Sequence, residues 1–174
     1  MLTLEKLVAS DIVEIAAAFA KLGWNKPASQ YEAYLAEQDA RERRVIIARW
    51  SGVFVGYVTV VWHAHYAPFA AENIPEIADF NVLPEWRKRG IGTALMDEAE
   101  RLIAQRSPVA GIGVGMTADY GAAQRLYVKR GYIPDGRGLT YEGKVLTYGE
   151  STTNDDSLVL YFTKSLEQVS QGEG

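Results

Sequence analysis

The chain has 174 residues, a formal net charge of −4, and 48% hydrophobic and 23% charged residues. These values are typical of a globular protein and exclude a disordered or collagen-like chain. The chain contains no cysteine, which excludes disulfides, thiolate metal sites and a cysteine nucleophile.

The sequence lacks the signals of a membrane-spanning or secreted protein and those of a nucleic-acid-binding protein. No apolar run approaches the roughly 20 residues that cross a bilayer, and the N-terminus lacks the pattern of a signal peptide. We therefore expect a cytoplasmic protein with no membrane partner. The acidic balance argues against a nucleic-acid partner, because nucleic-acid binding usually depends on a basic surface.

Apolar periodicity predicts a strand and two helices at the start of the chain. These elements cover residues 2–7, 12–22 and 27–40. Asp11 and Glu14 have the spacing of a capping box at the start of the first helix. Ser29 and Glu32 repeat that spacing in the second helix.

Two segments rich in Val, Ile and aromatic residues predict a β-hairpin in the next part of the chain. They cover residues 44–50 and 53–62, and the two-residue turn Ser51-Gly52 joins them. We expect a loop over residues 68–75 and then a strand over residues 76–83, which Pro84 ends.

The second half of the sequence alternates predicted helices and strands. Helices are expected over residues 90–106 and 121–130, and strands over residues 109–114, 138–141 and 158–164. The polar stretch 142–156 predicts a mobile loop. The pattern favours a mixed α/β fold in one domain, residues 1–166, followed by a frayed tail, residues 167–174.

A basic, glycine-containing turn joins the strand at 76–83 to the helix at 90–106. Three cations, Arg87, Lys88 and Arg89, precede two glycines, Gly90 and Gly92. Backbone N–H groups at a helix start have no intrahelical partner, and the helix dipole adds partial positive charge there. The turn therefore predicts a phosphate site. A solvated basic turn before a helix is the alternative that these residues leave open.

Several other residues have two interpretations. The run from Gly111 to Gly115 has no acidic residue at the offset of a dinucleotide-binding loop, so it favours a strand with close backbone contacts. Tyr127 shares a helix face with Ala123 and Leu126, and periodicity alone gives it a core position.

Two motifs together resemble the GNAT superfamily of acyl-CoA-dependent N-acyltransferases. The first is Arg87-x-x-Gly90-x-Gly92, directly after a predicted strand. The second is Leu126-Tyr127-x-x-x-Gly131-Tyr132, on the predicted helix at 121–130. The resemblance implies a mostly antiparallel mixed sheet flanked by helices, with splayed central parallel strands.

The resemblance also implies a binding site for acetyl-CoA, with no metal. The pyrophosphate would bind the backbone amides of Arg87, Lys88, Arg89, Gly90, Ile91, Gly92 and Thr93. The pantetheine arm would run beside residues 80–82 and pair with the backbone of Val82. Tyr120 is a departure, since many family members have an asparagine there that helps to hold the cofactor.

The catalytic residues implied by the resemblance are Tyr127, Glu76 and Asp79. Tyr127 matches the tyrosine that protonates the leaving thiolate, and a backbone N–H near Val82 would stabilise the carbonyl oxygen. Glu76 is the preferred base, acting through water. Asp79 is the second candidate, because it faces the other side of the strand unless that strand carries a bulge.

The acceptor would be a primary amine of a small molecule or a protein, and a homodimer is possible. Transfer of a longer acyl group and a non-catalytic acyl-CoA sensor are the alternatives. His63 and His65 could act as a base or bind the acceptor, or have only a surface role. Four aromatic residues could line the acceptor pocket or pack in the core: Trp24, Trp62, Tyr66 and Phe69.

Overall fold

The computed structural model describes residues 1–167, which contain eight strands and five α-helices. The strands are β1 (Leu2–Lys6), β2 (Arg43–Trp50), β3 (Val53–Val61), β4 (Glu76–Val82), β5 (Val109–Gly115), β6 (Ile133–Tyr141), β7 (Lys144–Val145) and β8 (Leu158–Ser165). The helices are α1 (Ile12–Lys21), α2 (Ala28–Asp39), α3 (Ala67–Glu72), α4 (Ile91–Ala104) and α5 (Gly121–Lys129). The strand order is β1-β2-β3-β4-β5-β8-β6-β7. Strand β4 pairs in parallel with β5, whereas the pairs β1–β2, β2–β3, β5–β8, β6–β7 and β6–β8 are antiparallel, so the predicted mixed, mostly antiparallel fold is confirmed.

The chain divides into two compact units, and the first contains Met1–Trp62 and Ala78–Leu102. Its strands β1, β2 and β3 form the predicted antiparallel meander. Ser51 and Gly52 have φ angles of 49° and 85°, the left-handed values that a two-residue hairpin turn requires. The core of this unit packs α1 and α2 against β2 and β3 around Phe19 and Tyr57, which are fully buried.

The second unit contains His63–Ile77 and the described residues from Ile103 onwards. The start of β4 pairs in parallel with β5, with Glu76 opposite Gly111. Strand β8 lies between β5 and β6 and is antiparallel to both. A Cβ at Gly111 would lie 2.3 Å from the ring of buried Phe69. This confirms that the glycines of β5 permit close packing and do not form a dinucleotide-binding loop.

Both capping-box predictions are wrong. The α1 and α2 helices have no side-chain cap hydrogen bond. Asp11 accepts instead from the N–H of Val8 at 2.9 Å and from Arg49 at 2.6 Å, and Glu14 accepts from Arg49 at 2.8 Å. An arginine from β2 therefore binds the carboxylates that sequence spacing assigned to the helix terminus.

Two predicted loops contain regular structure. Residues 68–75 overlap α3, which has Pro68 in its first turn and ends before Asn73, whose φ of 54° is left-handed. The polar stretch 142–156 contains β7, which pairs with β6. Gln168–Gly174 of the predicted frayed tail lie outside the described residues, and the single domain over residues 1–166 stays a prediction.

Candidate functional site

The basic turn of the first unit begins with a 3-10 turn, Pro84–Trp86. Lys88 and Gly90 then take left-handed φ angles of 60° and 79°, and α4 starts at the next residue. Arg87 Nε donates to the carbonyl oxygen of Val82 at 3.1 Å. Arg89 stacks its guanidinium over the ring of Trp86 at 4.8 Å. These contacts fold the exposed turn back onto the end of β4.

Unpaired amides follow that turn. Within residues 1–167, no acceptor binds the backbone N–H groups of Arg89, Gly90, Ile91, Gly92 or Thr93, and the first backbone bond of the helix is from Ala94 N to Gly90 O. A Cβ at Gly90 would meet no atom within 4 Å. A row of free donors at a helix start, open to solvent beside three exposed cations, fits a phosphate or diphosphate group.

Two glycines of neighbouring elements pack closely against the end of β4. A Cβ at Gly56 of β3 would lie 2.5 Å from the Asn81 carbonyl oxygen and 3.0 Å from the Cα of Val82. A Cβ at Gly92 of α4 would lie 3.1 Å from the Phe80 ring. The backbone of residues 80–82 is therefore fixed in position by close packing within the first unit.

Asp79 lies at the centre of a polar cluster in the same unit. Its Oδ1 accepts from Lys26 Nζ and Asn81 Nδ2, each at 2.8 Å. Its Oδ2 accepts from Tyr34 at 2.9 Å, from Gln30 at 3.0 Å and from the hydroxyl of Tyr57. These five donors come from the segment before α2, from α2, from β3 and from β4 itself. We call these six residues the Asp79 cluster.

The charge state of Asp79 follows from these contacts. Burial alone would raise the pKa of Asp79, but the charge and hydrogen bond of Lys26 and the tyrosine hydrogen bonds outweigh it. The pKa of Asp79 is therefore held below its usual value, and the carboxylate is ionised at neutral pH. Its φ of 48° is left-handed, so β4 departs from regular strand geometry at this residue.

Tyr127 lies on α5 in the second unit and is buried. Burial raises the pKa of its phenol well above the ordinary value, with a smaller contribution from Tyr120. No residue in the described part of the chain forms a hydrogen bond with the Tyr127 hydroxyl. The side chain is thus a protonated phenol whose hydrogen is not committed to another described group.

Glu76 begins β4 and belongs to the second unit, where its charge helps to raise the pKa of Tyr161 to about 12, after burial as the main cause. The Tyr161 ring stacks on Tyr66 at 3.7 Å. Tyr66 donates to Asp135 at 2.8 Å, and Asp135 also binds Arg137. Glu76 therefore lies near the stacked rings of Tyr66 and Tyr161, and the carboxylate of Asp135 orients this pair through its hydrogen bond with Tyr66.

The remaining residues singled out in the sequence have varied surroundings. The side chain of Tyr120 packs over Gly115 and donates to Asp156 at 3.0 Å. His63 and His65 are both exposed. Three of the four aromatic candidates have core contacts: Trp24 stacks on Phe19, and Tyr66 and Phe69 belong to the core of the second unit.

Most members of the Asp79 cluster could not be identified as site residues from the sequence. Lys26, Gln30, Tyr34 and Tyr57 have no motif, and they lie 53, 49, 45 and 22 residues from Asp79. The sequence offered one usable signal, which is a carboxylate placed between two apolar residues of a strand, Ala78 and Phe80. Such a group needs partners from other elements when it is buried.

The chain is a member of the Acetyltransferase (GNAT) family, whose sequence profile matches residues 9–132. A search of curated protein sequences finds no match. The resemblance seen in the two motifs is thereby confirmed at the level of the family.

Solved structures of low sequence identity share the fold. A ribosomal-protein-alanine N-acetyltransferase from Brucella melitensis is 17% identical with a TM-score of 0.68, over 94% of this chain and 99% of that one. A Salmonella typhimurium protein solved with its cofactor acetyl-CoA is 15% identical with a TM-score of 0.67, over 99% and 98%. A chimera of the spermidine N-acetyltransferase of Vibrio cholerae is 15% identical with a TM-score of 0.68, over 94% and 95%.

Two further findings concern residues 1–167. None of their helices combines the length and the apolar character that crossing a bilayer requires. The same residues contain no group of three or more His, Asp or Glu side chains placed to hold a metal ion.

Proposed function

We propose that the chain is an N-acetyltransferase that moves an acetyl group from acetyl-CoA to a primary amine of a small molecule or protein. The observation that carries this proposal is the row of unpaired amides from Arg89 to Thr93 beside three exposed cations, in a member of an acetyltransferase family. Neighbours named for the alanine of a ribosomal protein and for spermidine support an amine as the acceptor.

The residues around the basic turn suit the proposed cofactor. The amides from Arg89 to Thr93, with the charges of Arg87 and Lys88, would hold the diphosphate. The backbone of Val82 would pair with the pantetheine arm. When bound, acetyl-CoA supplies the activated acetyl thioester.

Tyr127 is proposed as the general acid. A thiolate leaving group needs a proton, and a phenol can donate one only while it is protonated at the working pH. Burial raises the Tyr127 pKa, which keeps the phenol protonated. Its hydroxyl has no acceptor among the described residues, which supports a donor role.

Glu76 is proposed as the base. An alkyl ammonium has a pKa of about 10, so the acceptor must lose a proton before it attacks. Glu76 would take that proton through a water molecule. Asp79 is a weaker candidate, because its lowered pKa reduces its basicity and five donors already occupy its oxygens.

The test is release of free coenzyme A from acetyl-CoA over a panel of small amines, polyamines and peptides. We expect release with at least one amine, and a loss of about 10²- to 10⁴-fold in kcat for Tyr127→Phe, with acetyl-CoA affinity retained. Tyr141→Phe is the matched control, because its hydroxyl binds Asp155 on an exposed surface. Saturable acetyl-CoA binding without turnover would favour the sensor, and turnover with longer acyl chains alone would favour a different acyltransferase.

A further inference from the structure

We infer that Asp79 is a positioning residue, which holds the backbone of β4 in the geometry that Val82 needs for the acetyl group. This inference rests on the proposed function. It assigns the second candidate base to a different role, and it gives a function to residues that the sequence motifs left unexplained: Lys26, Gln30, Tyr34, Tyr57 and Asn81.

The carboxylate of Asp79 is saturated with hydrogen-bond donors. Two donors bind Oδ1 and three bind Oδ2, which uses the acceptor positions of an ionised carboxylate. A base must keep a lone pair free for the incoming proton. The donors to Asp79 come from separate elements of the first unit, so the carboxylate joins these elements to β4 and anchors the strand.

The backbone of β4 is strained at Asp79. A left-handed φ at a residue with a side chain persists only where the surroundings impose it. At Asp79 the φ of 48° is imposed from two sides. The five donors bind the carboxylate, and buried Thr59 donates through Oγ1 to the carbonyl oxygen of Ala78 at 2.9 Å. Thr59 in turn accepts from Arg43 at 2.7 Å.

Asp79 is also close to Val82 along the strand. Asp79 lies three residues before Val82 in the sequence, and Asn81, between them, donates to Asp79. Gly56 packs directly on Asn81 and Val82. A change at Asp79 would therefore alter the course of the segment near Val82, whose backbone is proposed to pair with the pantetheine arm and is expected to supply an N–H to the carbonyl oxygen. Misplacement by about 1 Å can cost about 100-fold in rate even when the changed residue is remote from the reaction.

The experiment measures kcat and the KM for acetyl-CoA from about pH 6 to about pH 9. The variants are Asp79→Asn, Tyr34→Phe and Thr59→Val, with Tyr141→Phe as the control. We expect Asp79→Asn to lower kcat/KM about 10- to 100-fold, with a raised KM and an unchanged acidic limb of the pH profile. Tyr34→Phe and Thr59→Val keep the charge of Asp79, and we expect smaller losses in the same direction, about 2- to 10-fold.

Other outcomes would overturn the inference. If Asp79 is the base, Asp79→Asn will lower kcat by about 10²- to 10⁴-fold with the KM for acetyl-CoA unchanged, while Thr59→Val, whose hydroxyl binds the Ala78 carbonyl oxygen and not the carboxylate, behaves like the control. If the cluster has no functional role, all three variants will match the wild type in kcat/KM. Should Asp79→Asn fail to fold by circular dichroism, the two milder variants decide the question. A wild type without any acetyl transfer would refute the proposed function and this inference with it, whereas an active wild type whose three variants are unchanged would refute the inference alone.

Discussion

The Gly56→Ala variant perturbs the proposed cofactor strand by a predictable amount. The new Cβ would lie 2.5 Å from the Asn81 carbonyl oxygen and 3.0 Å from the Val82 Cα. Favourable contacts between heavy atoms of this kind begin at about 3.5 Å, so the shortfall at the oxygen is close to 1 Å. Both neighbours are backbone atoms, which have no rotamer to change. The strands β3 and β4 must therefore separate locally.

The expected cost follows from that overlap. Overpacking of a well-packed site costs about 1–3 kcal/mol, which for a chain of this size lowers the Tm by about 2–12 °C. Because the displaced residue is Val82, acetyl-CoA binding should weaken by about 10-fold or more. Differential scanning calorimetry gives the Tm, and isothermal titration gives the affinity.

Gly121→Ala is the matched control for this variant. Gly121 has a helical φ of −56°, and a Cβ there would meet no atom within 4 Å. We expect its Tm to be unchanged or slightly higher, because alanine reduces the freedom of the unfolded chain. If Gly56→Ala matched this control in both Tm and acetyl-CoA affinity, the close packing of β4 on Gly56 would be refuted.

Three further variants test separate parts of the structure. Gly90→Asp adds a carboxylate beside the phosphates, at a residue whose φ is left-handed. Isothermal titration should show acetyl-CoA binding weakened by about 10-fold or more, which is the loss expected when one contact to a charged group is removed. Unaltered affinity would contradict the phosphate site. Lys26→Met removes the main cause that lowers the pKa of Asp79. In the wild type this lowered pKa stabilises the fold above the unfolded pKa of about 4, and the gain is lost as pH falls through the folded pKa. In urea titrations the variant should therefore be less stable than the wild type at neutral pH, by a difference that shrinks as the pH falls below about 4; a difference that stays constant with pH would contradict this. Gly111→Ala would force a Cβ to 2.3 Å from the Phe69 ring and should lower stability by about 1–3 kcal/mol in the same titrations; an unchanged midpoint would contradict that contact.

Local patterns predicted the regular elements well. The alternation of apolar and polar residues and a two-residue turn predicted the meander of β1, β2 and β3. Helical spacing of apolar residues predicted α4, and its stripe is buried, including Ile91, Leu95 and Ala99. The helix α3 was missed because it has only six residues, too few for a periodic signal. Phe69 stabilises α3 by packing against β5 and Tyr161, and neither contact is visible from local sequence.

Long-range contacts account for the errors at polar residues. Asp11 and Glu14 lie 38 and 35 residues from Arg49, so their spacing in sequence suggested a local cap that does not form. Asp79 shows the same limitation in the candidate site. The basic turn could be predicted because its donors and cations are contiguous, whereas the partners of Asp79 come from four different segments that only the fold brings together.

The most direct measurement of the central claim compares two thioesters by isothermal titration. Acetyl-CoA carries the diphosphate that the amides from Arg89 to Thr93 are proposed to hold, and acetyl-pantetheine lacks all phosphates. We predict saturable binding of acetyl-CoA, with acetyl-pantetheine binding at least about 100-fold more weakly, as expected for the loss of one or two charge-assisted hydrogen bonds. Equal affinity for the two thioesters, or no binding of acetyl-CoA, would contradict the proposal that this turn is a phosphate site.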